Sequence, residues 1–569
     1  MPTHHTLVHL AAADAVAARA GVAATELKVE APPRPELGDL AVGCFAIAKA
    51  RKQNPAQVAQ ELAASIAPGG MIASASAAGP FVNFKLDRAA TFRWVIDAAL
   101  RGTLIPREVG AGKTICIDYS SPNISKHLAY HHIRGTTIGH ALAQISRALG
   151  YRVVGINFLG DWGATHGMVI AAYEKWGADE PLDVTKLNDL YVRFREAAKD
   201  NPYVEQEGRN AFKRLEDGDP KTRELWQRFR DISWAEFEDI YRLLGIEFDE
   251  VRGESAYEAD MPRVFDELRP LLTESEGAQV VSLEGEKTPI LLKTKDGTTL
   301  YATRDVAAAE YRWANYQFTR SLYVVDRGQA LHFRQLFKLL KKAGHAWADR
   351  CEHVPYGLIR VAGKRSATRL GGVVLMRDVF RIAEEEVRQV IAEVNPSLPA
   401  EVVSDVAIKV GIGAVVFANL ATHRDKDIDF DLDKAIALEG DSGPYVQYSH
   451  ARCASIARKA GETVSSVDGV DFGKLAHDAE WAVAKKLLEL PELVVRAGEH
   501  SEPHLVCHYL LSLAGEFSRW YTLGNGDPSL RVLVDDAATR RARLALVAAV
   551  QATLASGLAL IGIAAPDQM

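Results

Sequence analysis

The chain has 569 residues, 48% of them hydrophobic, 25% charged and 8% aromatic, which excludes a disordered or fibrous protein and predicts about three to five domains. Lys plus Arg number 67 against 74 Asp plus Glu, a formal net charge of -7, so bulk charge gives no general attraction to nucleic acid or membrane. Cys44, Cys116, Cys351, Cys453 and Cys507 stand far apart, without Cys-x-x-Cys or Cys/His zinc spacing, and predict a reducing compartment and no structural zinc.

The first ten residues carry no Lys or Arg and Asp14 interrupts the first apolar run, so no secretory signal is expected. Helical spacing over 10–20 and 40–50, strand alternation over 81–86 and the turn-rich stretch 31–35 predict a small α+β domain over 1–105. Pro106, Gly110 and Gly112 follow it as a break. Strand 114–119, helix 133–149 and strand 151–156 then form a β-α-β signature, the first half of a doubly wound, Rossmann-type α/β core over 106–170. Residues 171–285 are helical and charged, with 3.6-residue periodicity at 191–199 and 221–241, and are read as an insertion. The second half of the core, 286–380, shows strand 321–326, helix 331–343 and strand 353–359. A helical connector, 381–432, leads to an all-α bundle over 433–569, broken at 461–473 and 524–530. Residues 544–565 carry no charge and are long enough to span a bilayer. Gln551, Thr553, Ser556 and two glycines within them favour a buried bundle helix.

In an open α/β sheet, ligands bind beyond the carboxyl ends of the strands. The loop there holds Lys126, His127, His131 and His132 at the entry of a helix, where the backbone favours anions. Such a loop suits phosphate; the bland alternative is a polar turn with solvated histidines. Tyr301 and Asp305, four apart, share a helical face, and taken alone would more often be a strand-end aromatic and a helix cap.

The run Ser120-Ser121-Pro122-Asn123-Ile124-Ser125-Lys126, then His132-Ile133-Arg134-Gly135-Thr136 and Asn157-Phe158-Leu159-Gly160-Asp161-Trp162-Gly163, resembles the nucleotide-binding region of the arginyl-tRNA synthetases, a class I aminoacyl-tRNA synthetase family. The likeness spans nearly the whole chain. Pro33 to Asp39 and Gly79 to Phe84 resemble the family's tRNA-binding amino-terminal domain; Tyr301-Ala302-Thr303-Arg304-Asp305 and Val325-Asp326-Arg327-Gly328-Gln329 its amino-acid pocket; Gly440 to Arg452 and Ala565 to Met569 its anticodon-binding bundle.

The resemblance implies ATP-dependent ligation of L-arginine to tRNA(Arg) through an arginyl-adenylate, with ATP arriving as its Mg2+ complex, and activation that itself requires bound tRNA. It further implies a cytoplasmic monomer with no DNA or membrane partner. On this likeness Lys126, His131, His132, Lys364, Arg365 and Arg369 serve catalysis, and Lys126, His127, His132, Gly135 and Thr136 hold ATP. Asp118, Ser121, Asn123, Tyr301, Asp305 and Gln329 hold arginine, and Asn83, Tyr445, Tyr448 and Met569 meet tRNA. Two motifs depart from the pattern. Where the family has His-x-Gly-His, this chain reads Ala129-Tyr130-His131-His132, leaving His131 or His127 to replace the missing histidine. The second signature is represented by Gly363-Lys364-Arg365-Ser366-Ala367-Thr368-Arg369, a basic run whose bland reading is a solvated loop. The alternative function is a tRNA-binding or arginine-sensing relative without ligase chemistry, which would form no arginyl-tRNA.

Overall fold

Runs rich in β-branched residues build the centre of the molecule: Thr114–Asp118 (β1) and Arg152–Asn157 (β2) pair in parallel. The structure, a computed structural model, describes residues 6–177, 181–199, 201–293, 301–361, 374–394, 396 and 398–569. Glu250–Val251 (β3), Arg320–Asp326 (β4) and Cys351–Tyr356 (β5) complete a five-stranded sheet in the order β5-β4-β1-β2-β3, with every neighbour parallel. The chain leaves β1 toward one edge and later returns on its other side as β4. The carboxyl ends of β1 and β4 therefore flank the switch point, where an open sheet of this kind forms its crevice.

Helix Ile133–Ala148 (α1) links β1 to β2. Four helices follow β2: Ala164–Trp176, Val184–Ala198 (α2), Pro202–Glu216 and Pro220–Leu243 (α3). The last three start on Asp183, Asn201 and Asp219, whose side chains each accept a backbone N–H of the first turn. The chain then returns to the sheet as β3, inside the stretch read as insertion. Tyr301–Tyr316 (α4) precedes β4, and Ala330–Lys342 (α5) joins β4 to β5.

The helix expected over 40–50 is corrected to a strand, Leu40–Gly43, followed by a helix, Phe45–Arg51. Leu40 to Gly43 pair antiparallel with Phe84 to Phe81, and this distant partner overrides the local spacing. The expected strand 353–359 likewise divides, into β5 and Ile359–Val361. The latter pairs with Ile428–Phe430, so the connector also contributes a strand.

Helices Gly443–Ala460, Asp478–Glu499, His504–Gly526 and Ala537–Leu560 form the carboxy-terminal bundle. Among the described residues Ala537–Leu560 is the one helix long and apolar enough to cross a membrane. Its Leu546, Val550, Leu554 and Leu558 are fully buried inside the bundle. The amino-terminal domain docks on that bundle: Arg88 pairs with Asp478 at 2.6 Å, Trp481 Nε1 donates to Asp39 Oδ1 at 3.2 Å, and Phe92 packs edge-on against Trp481.

Two deeply buried histidines make this fold acid-sensitive. Burial first, then Arg147 for His140 and Lys126 for His166, pushes each imidazole down to about 4. Below pH 6.5 the unfolded chain takes up protons that the folded chain refuses, so stability present above pH 6.5 is lost as pH falls toward 4. For groups this buried the loss is of order 3 kcal/mol each. Urea denaturation midpoints should therefore fall steadily from pH 7 to pH 4.5, and less steeply in His140→Gln. A midpoint independent of pH over that range would contradict the assignment.

Candidate active site

The site grows from the loop after β1. Ser120, Ser121 and Ser125 all adopt positive φ, 68°, 41° and 63°, a conformation costly for residues with a side chain. Side-chain bonds hold it. Ser120 Oγ lies 2.8 Å from Thr136 Oγ1 and 2.9 Å from Tyr241 Oη on α3, and Ser125 N donates to Ser233 Oγ, also on α3, at 2.9 Å. Ser121 Oγ donates to Asp118 Oδ1 at 2.8 Å and accepts Phe158 N at 3.2 Å. The loop is also zipped to the segment after β2, with Ile124 N on Gly160 O and Gly160 N on Pro122 O. Gly160 is required by this approach, because a Cβ there would lie 2.1 Å from Asn123 Oδ1.

A cavity of about 570 Å3 opens at the switch point. Of the residues expected there, it brings together Asp118, Ser121, Asn123, His131, His132, Asp305 and Gln329. The His131 and His132 rings lie 4.1 Å apart. His132 Nδ1 is 3.0 Å from the Ala129 carbonyl, which can only accept, so Nδ1 carries the proton. Burial, then the neighbouring His131 and Lys126 charges, pushes its pKa down to about 4. His132 is therefore neutral at pH 7 in the ligand-free chain and presents a bare Nε2, rather than the ready-made cation its position suggests. Burial also lowers His131, against the pull of Asp326.

Three carboxylates with partners shape the arginine end. Asp118 accepts from the fully buried Arg312 at 2.7 Å, and that guanidinium lies between the rings of Phe158 and Tyr323. The Asp118 charge is thus already balanced by Arg312, while its side chain lines the cavity with the other residues expected to hold arginine. Glu254 pairs with Arg304 at 3.0 Å, yet burial, with Asp305 and Asp161 adding to it against Arg304, raises its pKa to about 7. Asp305 accepts from His332 Nε2 at 2.7 Å.

Several expected residues fall elsewhere. His127 Nδ1 donates to Glu236 on α3 at 2.6 Å and does not line the cavity. Lys126 sits 4.7 Å over the Tyr191 ring of α2 and also does not line it. Gly135 and Thr136 are buried in α1, where a Cβ on Gly135 would meet Tyr356 Oη at 2.7 Å and Thr136 Oγ1 donates to the His132 carbonyl at 2.8 Å. Neither lines the cavity. Lys364, Arg365 and Arg369, and the side chain of Tyr301, lie outside the described residues.

The sequence reading missed Glu254, Arg312 and His332. Two carried a signal: Arg312 lies seven residues after Asp305, and His332 three after Gln329, each on the same helical face. Glu254 had none, because it reaches the cavity from a 3-10 turn after β3.

The residues expected to meet tRNA fall in different settings. Asn83 is 3% exposed within its strand, whereas Phe45 is exposed and packs edge-on against Phe81. Tyr448 and Met569 line a 520 Å3 cavity together with Arg452, Arg458, Lys459 and Tyr521, and Arg452 lies over both tyrosine rings. Tyr445 faces a neighbouring groove beside Arg519. Cationic walls with aromatic faces suit unpaired bases. Away from these sites, Glu267, Glu310 and His345 place ligand atoms within 4.8 Å of one another. Arg263 bonds both carboxylates, at 3.3 and 2.7 Å, and neutralises the group from within.

The comparisons agree with this geometry. Residues 96–432 match the model for the class I (R) tRNA synthetase catalytic domain. The parallel core and its crevice are thus those of the class I aminoacyl-tRNA synthetases. Residues 6–86 match the arginyl tRNA synthetase N terminal domain and 446–569 the DALR anticodon binding domain. An arginine–tRNA ligase from an Exiguobacterium species is 44% identical over 551 residues, covering 96% of each chain. One from Clostridium perfringens is 41% identical over 552 residues, again covering 96% of each. The arginyl-tRNA synthetase of Thermus thermophilus superposes with a TM-score of 0.82 at 27% identity, over 99% of this chain and 100% of that one. The chain belongs to the arginyl-tRNA synthetase family, whose class I catalytic domain joins arginine to tRNA(Arg).

Proposed function

We propose that this chain ligates L-arginine to tRNA(Arg) at the β1/β4 crevice, using ATP brought in as its Mg2+ complex. The observation that carries the reading is the acid pattern of the cavity. Asp118 is cancelled by Arg312 and Glu254 is paired with Arg304, while Asp305, whose partner among the described contacts is His332, faces the same space. A guanidinium offers five donors in a fixed plane and favours a carboxylate acceptor without a permanent cation of its own. Ser121, Asn123 and Gln329, which line the same cavity, are placed for the α-amino and carboxylate groups. The substrate carboxylate then attacks the α-phosphate, pyrophosphate leaves, and the terminal ribose hydroxyl of tRNA takes the arginyl group from the adenylate. His131, His132, Lys126 and the basic run 364–369 supply positive charge or N–H donors to the phosphate oxygens, the contacts that strengthen as charge develops.

The domains divide the labour. Residues 106–170 and 286–380 react, joined by β3 and Glu254, the rest of 171–285 and 381–432 brace them, and 1–105 and 433–569 hold tRNA. The protein works as a monomer in the cytoplasm, without zinc and without DNA or membrane partners. Incubation with ATP, labelled arginine and tRNA should yield arginyl-tRNA, AMP and pyrophosphate, with no product from lysine. Binding of tRNA or arginine without product would favour the sensing alternative.

In the bundle, Tyr448→Ala should weaken tRNA binding by about 1 to 3 kcal/mol, the worth of one base stack. Because Tyr448 also carries Arg452, Tyr448→Phe should keep most of that affinity. Filter-binding titration and the arginine KM separate the effects: the first should move and the second should not. A loss of arginine affinity would instead mark Tyr448 as a structural residue.

A further inference from the structure

We propose that His332 is a positioning residue for arginine recognition, holding Asp305 by Oδ2 and leaving Oδ1 to the substrate guanidinium, and that arginine binds tightly only when this imidazole is neutral. The inference rests on the reading of Asp305 as the guanidinium acceptor.

The geometry is direct. His332 leaves α5 three residues after Gln329, and both side chains line the cavity with Asp305 of α4. Its Nε2 donates to Asp305 Oδ2 at 2.7 Å, with side-chain exposures of 29% and 20%, so solvent screens the pair only partly. Its ring also packs edge-on against Phe333. A carboxylate gripped on one oxygen by a fixed N–H cannot rotate freely, and its other oxygen keeps a defined direction.

The charge state decides affinity. With neutral His332 the pair carries one negative charge, and a guanidinium meets a true counter-ion. With protonated His332 the pair is neutral, and an incoming cation faces an imidazolium at the same carboxylate. Burial alone would lower the His332 pKa, but the hydrogen bond and charge of Asp305 outweigh it and the pKa ends raised. The other groups around the pair are His353 on β5, Asp326 at the end of β4, His131 before α1, and Glu254 with its partner Arg304. None hydrogen-bonds His332 among the described contacts, though Glu254 titrates at about 7 and feels Asp305. Bound arginine places a second cation beside His332 and so lowers its pKa. Binding therefore releases protons, and arginine affinity falls as pH falls through the raised imidazole value.

The test is calorimetric titration of L-arginine into the full chain from pH 5.5 to 8, in two buffers of different ionisation enthalpy, which counts released protons. Wild type should release protons, and its Kd should rise toward about tenfold per pH unit on the acid side. His332→Gln keeps an N–H near the Nε2 position but cannot titrate. It should bind arginine within a few-fold of wild type at pH 8, release fewer protons, and vary less with pH, the remainder belonging to Glu254. His332→Ala should lose about tenfold at pH 8 as well, the worth of one charge-assisted hydrogen bond. Proton release in His332→Gln equal to wild type would overturn the proposal. Should that variant fail to fold, the 13C resonance of His332 in wild type serves instead: it should shift to the neutral form on adding arginine, and no shift would overturn the idea. Asp305→Asn tells the two readings apart, since unchanged arginine affinity there removes the guanidinium site itself.

Discussion

Asp305→Ala is expected to raise the arginine KM by about two to four orders of magnitude while changing the ATP KM only a few-fold. A guanidinium drawn into a partly buried cavity without its carboxylate loses about 3 to 5 kcal/mol, and each 1.4 kcal/mol is tenfold. The substitution also strips His332 of its partner, so an imidazole relieved of the Asp305 charge would return toward the value burial alone favours. Glu254 keeps its Arg304 partner and cannot replace the lost oxygen at the same place. Steady-state aminoacylation with each substrate varied in turn checks this. An arginine KM within threefold of wild type would move the guanidinium site elsewhere in the cavity.

The second large effect concerns the divergent signature. His132→Ala and His131→Ala should each lower kcat by about 100- to 1,000-fold, the usual result of removing one donor to a developing oxyanion, which His132 becomes when bound phosphate charge protonates its Nε2. The ATP KM should change far less, as for contacts strongest in the transition state. His127→Ala should leave kcat near wild type, because that ring is bonded to Glu236 and does not line the cavity. The pH behaviour of His132 adds a signature. Its pKa of about 4 belongs to the ligand-free chain, and a bound triphosphate supplies the negative charge that raises it. Its imidazole resonance should therefore titrate at higher pH with ATP than without. Single-turnover rates for the three variants decide the assignment; a silent His131→Ala beside a fully active wild type would transfer its role to Lys126 and the basic run 364–369.

Local pattern made much of the framework legible. The strands at β1 and β2 announce themselves by β-branched runs, α3 by 3.6-residue periodicity ended by Gly245, and the bundle helix Ala537–Leu560 by an uncharged stretch softened with polar residues. The segment 40–50 failed for the opposite reason. Its apolar spacing fits a helix, and only pairing with Phe81 to Phe84 makes half of it a strand. Among site residues, Asp305, Gln329, His131 and His132 stand in motifs that are continuous along the chain, and the fold delivers all four to one cavity.

The sequence by itself determined the class of chemistry: a polar, histidine-bearing loop at a strand end, a helix carrying Asp305, and ordered motifs of one synthetase family. Only the tertiary structure decided which charges are free to act. Asp118 and Asp305 are both aspartates in motif positions, yet one faces a buried Arg312 and the other a titratable His332. His127 and His131, four apart, point respectively at an insertion helix and into the cavity. The physical reason is range. Hydrophobic periodicity is a property of neighbours within one or two turns, whereas the partner that cancels, orients or shifts a charge arrives from a distant element, here 194 residues away for Asp118 and 109 for His127.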